Sequence, residues 1–380
     1  MNKFIKKPVV TIIVVIIIAI AIFYLKSQKE SVNKGAINNQ LGSKENSILK
    51  PNEANKQTTI EKYPKAPDFV GIDKWINSEP LKMEDLKGKV VLVDFWTYTC
   101  INCIRTLPYL KDWDAKYRDK GLVIVGVHSP EFEFEKKYEN VLKAVNDYQI
   151  KYPVAQDNHW VTWSAYQNRF WPHEFLIDID GYIRHDNIGE GNYDETEMTI
   201  QKLLQERMER LNRKNAVAVN LTKAPESSNF GRIGTPEIYF GYQFTRGNMG
   251  YDIPQDSVAD YNYPKSIAKN YVYLSGTWKN NADNMELVSN EGSILLTYDA
   301  KKINIVAGSE NKSDAYVLLD TNFLDEKTKG SDAIFQGNKS IVNINEFKLY
   351  NVASAENSGT HMLELQVGGK GFKIYTFTFG

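Results

Sequence analysis

Cys100 and Cys103 are the only cysteines in a chain of 380 residues, and two residues separate them. Residues 90–95 (VVLVDF) have the apolar, β-branched composition of a buried strand, and residues 104–120 have the apolar spacing of a helix. A Cys-x-x-Cys pair at a strand-to-helix junction places its first sulfur at the helix N-terminus. Unpaired N–H groups and the helix dipole stabilise a thiolate there. The second sulfur follows one turn later, close enough for a disulfide. The pair therefore predicts a redox-active dithiol.

Two other uses of the pair fit the rest of the chain less well. A zinc site normally needs four nitrogen or sulfur ligands, and the five histidines are scattered without ligand spacing. A structural disulfide across so short a loop would remove little conformational entropy from the unfolded chain. We therefore favour the redox dithiol over both.

Residues 1–25 predict a transmembrane signal anchor. Residues 8–25 (PVVTIIVVIIIAIAIFYL) carry no charge and, as a helix, would span roughly 27 Å, close to the hydrocarbon thickness of a bilayer. Lys3, Lys6 and Lys7 precede this span. The positive-inside rule thus predicts a single-pass protein of the cell membrane, with its N-terminus in the cytoplasm and its folded domains extracytoplasmic. No A-x-A cleavage signal follows, which favours an anchor that is retained.

Residues 26–63 predict a flexible linker. They are rich in Asn, Lys, Ser and Gln, and no aromatic residue occurs before Tyr63, so they cannot bury enough surface to fold. The remaining chain is long enough for two domains, which we place at residues 64–214 and 229–380. The formal net charge is −1 and no basic block occurs beyond the first residues, so composition does not imply nucleic acid as a partner.

The first domain alternates strand and helix patterns in the order β-α-β-α-β-β-α, which is typical of a thioredoxin-like α/β fold. Asp180-Gly181 lies between two short apolar runs and predicts the turn of the final hairpin. The predicted elements are strand 90–95, helix 104–120, strand 122–127, helix 138–148, strand 154–155, helix 161–169, hairpin 174–185 and helix 196–212.

Further residues around the cysteines make the likeness to thioredoxins specific. Asp94, Pro108 and the Trp171-Pro172 pair resemble the buried carboxylate, the helix-kinking proline and the cis-proline of thioredoxins. The segments LKGKVVLVDFWTYTCINC, RFWPHEFLIDIDG, TPEIYFGY and YTFTFG are similar to the extracytoplasmic, TlpA-like part of DipZ-type proteins. The resemblance covers nearly all of the chain beyond the linker.

This resemblance implies a thiol-disulfide oxidoreductase and a role for each residue near the dithiol. Cys100 would be the nucleophile that forms a mixed disulfide with a client protein, and Cys103 would resolve it. Asp94 would take or return the proton of Cys103. The residues expected to bind the client are Trp171, Pro172, Tyr98 and Asn102, with the backbone of Trp171 receiving the client as a short added strand.

The resemblance also has implications for partners. DipZ-type proteins commonly carry a multi-span electron-transfer part in the membrane, whereas this chain has one predicted span. We therefore expect a separate electron donor, clients with disulfides or thiols, and no cofactor beyond the redox-active disulfide of Cys100 and Cys103. The family implies the reducing direction. Ile101-Asn102 replaces the Gly-Pro of thioredoxin, and this departure helps set the relative stability of dithiol and disulfide.

Residues 229–380 lose helical periodicity and predict an all-β sandwich. In DipZ-type proteins this region resembles a jelly-roll carbohydrate-binding module, which implies a glycan as a possible partner. Trp278 and Tyr273 could stack on a sugar, although core packing accounts better for both. The predicted strands are 271–274, 294–298, 303–306, 316–319, 347–350, 363–367 and 372–379.

Two alternative functions stay open. Thr97 lies three residues before Cys100, as in the T-x-x-C of peroxiredoxin-type thiol peroxidases, but Val93 stands where that family has proline. A carrier of copper or another thiophilic metal would use both cysteines and a histidine, although related folds that do this space their cysteines more widely.

Overall fold

The computed structural model describes residues 63–212, 217, 220–223 and 232–380. The predicted anchor (1–25) and residues 26–62 of the predicted linker lie outside the described residues. Within the described ranges, no helix combines the length and the apolar character needed to cross a membrane. The described residues all belong to one compact unit.

Six strands and four α-helices form residues 63–212. The strands are Lys74–Ile76 (β1), Val90–Trp96 (β2), Leu122–His128 (β3), Val154–Gln156 (β4), His173–Ile177 (β5) and Ile183–Ile188 (β6), and the helices are Ile101–Tyr117 (α1), Tyr138–Asp147 (α2), Val161–Ala165 (α3) and Tyr193–Arg210 (α4). The sheet order is β1-β4-β3-β2-β5-β6. Strands β2, β3 and β4 run parallel, and β5 pairs antiparallel with β2. Helices α1, α2 and α4 cover one face, and α3 packs on the other.

This arrangement confirms the predicted thioredoxin-like α/β domain, with shifts at the element ends. Strand β2 is buried along its whole length, as expected for a strand covered on both faces. Helix α3 ends at Ala165, four residues before its predicted end, because Gln167 turns the chain away with a φ of 53°. Strand β1 was not predicted, since its three residues show no clear period.

Helix α1 carries the dithiol at its first turn. It begins three residues earlier than predicted because the Cys100 sulfur accepts a hydrogen bond from the Cys103 N–H and caps the helix. Pro108 lies inside the helix. After a short 3₁₀ turn the chain leaves at Gly121, whose φ of 108° is in the left-handed region that glycine adopts without strain.

The second part of the chain is β-rich and forms one eleven-stranded sheet. Its strands are Ile238–Tyr239 (β7), Val258–Tyr261 (β8), Val272–Asn280 (β9), Met285–Leu287 (β10), Glu291–Gly308 (β11), Ser313–Leu319 (β12), Asn322–Phe323 (β13), Ile334–Gln336 (β14), Lys339–Ile344 (β15), Lys348–Gly368 (β16) and Lys373–Phe379 (β17). The prediction of a β-rich region is confirmed, and the jelly-roll sandwich topology stays a prediction.

Two predicted pairs of short strands are single long strands in the structure. Segments 294–298 and 303–306 are both part of β11, and segments 347–350, apart from Phe347, and 363–367 are both part of β16. The polar residues between them suggested turns. They instead continue the β11–β16 ladder, which absorbs the irregularity as a register shift between Ala300 and Lys302.

The aromatic residues considered for sugar stacking are in the core of the β-rich region. Trp278 is fully buried and donates its indole N–H to the Ser275 carbonyl at 2.9 Å. Tyr273 is buried as well, and its hydroxyl accepts a hydrogen bond from the Ala268 N–H. Both side chains therefore pack internally, and neither presents a ring face to solvent.

Aromatic side chains also join the two sheets. Phe132 and Phe134 follow β3 and are almost completely buried. The Phe134 ring centroid lies 4.7 Å from that of Tyr375 on β17 and 5.3 Å from that of Phe347. Phe132 lies 5.1 Å from the same tyrosine. The hydrophobic core of the first sheet thus continues into the β-rich region.

Phe134→Ala should destabilise the whole described unit. Removal of a buried phenylalanine ring costs about 3–5 kcal/mol through lost burial and the cavity left behind. We expect a loss of this size in the free energy of unfolding, measured by urea denaturation with probes in both parts of the chain.

Phe335→Ala is the control, since Phe335 lies in the β-rich region and is 39% exposed. Its effect should stay within about 1 kcal/mol. Equal losses for the two variants would show that the aromatic contact between the sheets contributes nothing particular to stability.

Candidate active site

The two sulfurs have different surroundings although one helical turn separates them. Cys100 is half-buried at the helix N-cap, whereas Cys103 is only 1% exposed. Both thiols are free, and the Cys103 N–H lies 3.4 Å from the Cys100 sulfur. Burial, together with the hydrogen bond and charge of Cys100 and the charge of Asp94, raises the pKa of Cys103 well above its ordinary value. Cys103 therefore keeps its proton, and Cys100 is the sulfur that a partner can reach.

The predicted proline loop lies directly beside Cys100. The Trp171–Pro172 peptide bond is cis, and the Trp171 carbonyl oxygen lies 4.0 Å from the Cys100 sulfur. The Trp171 indole donates to the Ser129 carbonyl at 3.1 Å, and its ring packs 4.4 Å from that of Trp163. The structure thus brings the dithiol and the proline loop together and holds that loop by aromatic packing.

Asp94 lies beneath the dithiol on β2 and is 1% exposed. Burial raises its pKa to about 7, so its protonation changes near neutral pH. Glu174 on β5 is its register partner and is also buried. Burial and then the charge of Asp94 raise the pKa of Glu174 well above its ordinary value. Within the described part of the chain, no ion pair joins either carboxyl to a cation, so no positive charge offsets their burial.

The other two predicted client-binding residues have supporting contacts. Tyr98 is 3% exposed, stacks on His128 and donates its hydroxyl to the Phe347 carbonyl at 3.4 Å. Asn102 is half-buried, and its side-chain oxygen accepts from Arg105 at 3.2 Å. Neither residue offers a large free surface next to the Cys100 sulfur.

Glu135 is a residue of this site that sequence reasoning missed. It is fully buried, and its carboxylate accepts hydrogen bonds from the Thr99 hydroxyl at 2.6 Å and from the N–H groups of Glu131 and Phe132. Burial still raises its pKa. Because Thr99 immediately precedes Cys100, this carboxylate fixes the loop that leads into the dithiol. The sequence gives only the alternation of Glu and Phe, with no sign of a partner across 36 positions.

A cavity of about 720 Å³ opens beside the dithiol helix, between it and the β-rich region. One wall comes from the dithiol loop, α1 and α2, and the other comes mainly from β11, β16 and the loop between β15 and β16. The first wall includes Ile101 and Ile104, and the second includes Asn345, Phe347, Leu349 and Asn351. Among the side chains that the structure describes, no three His, Cys, Asp or Glu are grouped so as to hold a metal ion.

Comparisons with known proteins agree with this geometry. Residues 64–186 match the family model described as AhpC/TSA family, and residues 235–380 match the one described as thioredoxin like C-terminal domain. Protein DipZ of Mycobacterium bovis is 37% identical over 286 residues, which are 74% of this chain and 39% of that protein. The chain therefore spans about two fifths of the length of this relative.

Shorter relatives match the first domain. Thiol-disulfide oxidoreductase ResA of Bacillus cereus is 33% identical over 138 residues, which are 36% of this chain and 76% of ResA. A solved structure of a thiol:disulfide interchange protein DsbE from Chlorobium tepidum is 29% identical and covers 38% of this chain and 97% of its own, with a TM-score of 0.34.

The fold and the paired cysteines place the chain in the thioredoxin-like class. Within that class, the chain belongs to the family of ResA-like thiol-disulfide oxidoreductases, as the match over 76% of ResA shows. It is also similar to DipZ over 74% of its own length.

Asp94→Asn should flatten the pH dependence of stability. Since the pKa of Asp94 is raised from 3.8 to about 7, the native protein holds a proton that the unfolded chain has lost. The stability that this group contributes is complete below about pH 4 and is lost as the pH rises through about 7. The difference corresponds to roughly 4 kcal/mol. Between pH 4 and pH 8, the reduced wild type should lose about that much more free energy of unfolding than Asp94→Asn in urea denaturation.

Glu197→Gln is the matched control with the opposite sign. Burial acts against ionisation of Glu197, but hydrogen bonds from Thr222 and Tyr117 outweigh it and lower the pKa. The contribution of this carboxylate is therefore present above its unfolded pKa and lost in acid, so Glu197→Gln should lose stability at neutral pH. Parallel pH curves for wild type and Asp94→Asn would contradict the role of burial at Asp94.

Proposed function

We propose that this protein is a membrane-anchored, extracytoplasmic thiol-disulfide oxidoreductase that reduces disulfides of client proteins through Cys100 and Cys103. The observation that carries the proposal is the asymmetry of the pair, with a reachable Cys100 sulfur at the helix start and a buried, protonated Cys103 one turn below. This is the arrangement that a nucleophile and a resolving thiol require.

The catalytic cycle begins with the reduced protein. The Cys100 thiolate attacks one sulfur of a client disulfide, the client S–S bond breaks, and the other client sulfur leaves as a thiolate that takes a proton from water. Cys103 then passes its proton to the Asp94 carboxylate and attacks the Cys100 sulfur of the mixed disulfide. The second client sulfur leaves, and the protein is left with a Cys100–Cys103 disulfide. Two electrons have passed to the client.

Asp94 suits this proton transfer because its pKa of about 7 lets it accept a proton and release it again near neutral pH. A separate dithiol donor reverses the sequence and restores the reduced pair. The Trp171 backbone beside Cys100 supports client alignment as an added strand, with the Trp171 carbonyl facing the reacting sulfur.

Membrane attachment rests on the sequence of residues 1–25. The predicted linker, residues 26–63, would reach roughly 30–36 Å if it is a coil. The protein would therefore act on clients close to the outer surface of the membrane. A glycan partner for the β-rich region would need residues other than Trp278 and Tyr273, since both are in its core.

Cys103→Ser should trap clients. Without the resolving thiol, the mixed disulfide on Cys100 cannot be released internally, so covalent complexes should accumulate and disappear on addition of dithiothreitol. The measurement is non-reducing electrophoresis of the purified full chain, followed by mass spectrometry of the adducts.

Cys100→Ser is the control for this experiment. Because the remaining thiol is buried, this variant should trap far less. Equal trapping by the two variants would overturn the assignment of the nucleophile.

A thiol peroxidase is the second candidate, because residues 64–186 match the AhpC/TSA family model. Thr97 is fully buried, and its hydroxyl lies 3.4 Å from the His128 ring nitrogen. Fast peroxide consumption by the reduced protein, without turnover of protein disulfides, would support the peroxidase and contradict the reductase.

A further inference from the structure

The cavity beside α1 is lined by apolar and polar side chains that take no part in the reaction at the two sulfurs. Its first wall includes the half-buried side chains of Ile101 and Ile104, one and four residues after Cys100. Phe347 and Leu349 on the second wall are half-buried too. Apolar surface from both parts of the chain is thus available within one cavity that borders the dithiol helix.

Polar groups complete the lining. Asn345 offers an amide and Ser331 offers a hydroxyl, whereas the Asn351 amide donates to Asn304 and accepts from the Ser331 N–H. Charges of both signs are present and largely paired: Lys348 with Asp332 at 3.2 Å within the second wall, and Lys143 with Glu346 at 3.3 Å from one wall to the other. A lining of balanced charge does not select an anion or a cation. Amide groups beside apolar side chains suit a polypeptide, whose backbone needs hydrogen bonds and whose side chains need apolar contact.

The volume of the cavity and the contacts that hold its second wall agree with a polypeptide as the ligand. A volume of about 720 Å³ lies within the range of ligand-binding cavities, which is about 300–1,000 Å³. Phe134 packs against Phe347, and the Tyr98 hydroxyl donates to the Phe347 carbonyl, so contacts across the two sheets hold the second wall in place. The cavity is therefore formed before a client arrives, which lowers the entropic cost of binding.

We propose that this cavity is a client subsite, in which an extended polypeptide segment next to the client's disulfide binds between α1 and the β-rich region. The inference rests on the proposed reductase function and adds to it a role for the β-rich region. The β-rich region would supply one wall of the client site and so favour protein disulfides over small ones.

Asn345→Trp tests the subsite by filling it. Asn345 is exposed, lies between β15 and β16 and lines the cavity. The assay uses the full chain with dithiothreitol as electron source, and compares insulin as the protein disulfide with hydroxyethyl disulfide as the small one. We expect the ratio of kcat/KM for insulin to kcat/KM for the small disulfide to fall about tenfold, which corresponds to about 1.4 kcal/mol of lost binding.

Asn343→Trp is the matched control. Asn343 is also exposed and lies two residues away on β15, outside the cavity lining. Its ratio should equal that of wild type. Ile104→Lys disturbs the opposite wall and should lower the ratio as Asn345→Trp does, which keeps the test valid if the tryptophan variant fails to fold.

The outcomes separate the two levels of the proposal. An unchanged ratio in folded Asn345→Trp and Ile104→Lys, with wild type active on both disulfides, would overturn the subsite alone. Wild type inactive on both disulfides would overturn the reductase function and the subsite with it. A fall in Asn343→Trp equal to that in Asn345→Trp would also overturn the subsite.

Discussion

Burial of Cys103 beneath the start of α1 is the constraint on which the chemistry of this protein depends. A thiol removed from water holds its proton strongly, and the nearby Asp94 carboxyl strengthens that tendency. Cys100 sits half-buried at the helix cap, where a backbone N–H points at its sulfur. One helical turn thus separates the Cys100 sulfur, which is placed to act as the nucleophile, from the Cys103 sulfur, which keeps its proton until the mixed disulfide has formed. The fold produces this difference by placing the pair where a fully buried strand meets a helix.

The same burial acts on the carboxyls below the dithiol. Asp94 and Glu174 face each other on β2 and β5 in an otherwise apolar layer. Apolar residues of similar size would cost less there, because an unpaired buried carboxyl is destabilising. A proton acceptor that works near neutral pH requires such surroundings, since a solvated aspartate would stay ionised. Stability and proton transfer therefore make opposite demands on this layer.

The sequence predicted features that are local or that a family resemblance supplies. Hydrophobic periodicity predicted the strand before Cys100 and the helix after it. The Asp180-Gly181 pair predicted the turn of the hairpin. The position of Pro172 near the dithiol came from resemblance, and the structure places the two together. The hydrogen bond from Thr99 to Glu135 could not be predicted, because no local pattern shows which distant side chain donates to a buried carboxylate.

The β-rich region shows the same limit. Polar residues around Asp299 resembled a turn, but pairing with β16 keeps that segment extended. Ladder pairing is a long-range property, so alternation within one segment cannot reveal it. The cavity beside α1 is a further case, since its two walls come from segments more than 150 positions apart.

Glu135 has one more consequence. Its carboxylate holds the threonine in front of the nucleophile, while its neighbours Phe132 and Phe134 are buried against the β-rich region. A fragment that ends after the thioredoxin-like domain would expose those two rings to water. It would also weaken the support that Glu135 gives to the loop before Cys100. The boundary between the α/β region and the β-rich region is thus not a suitable point for truncation.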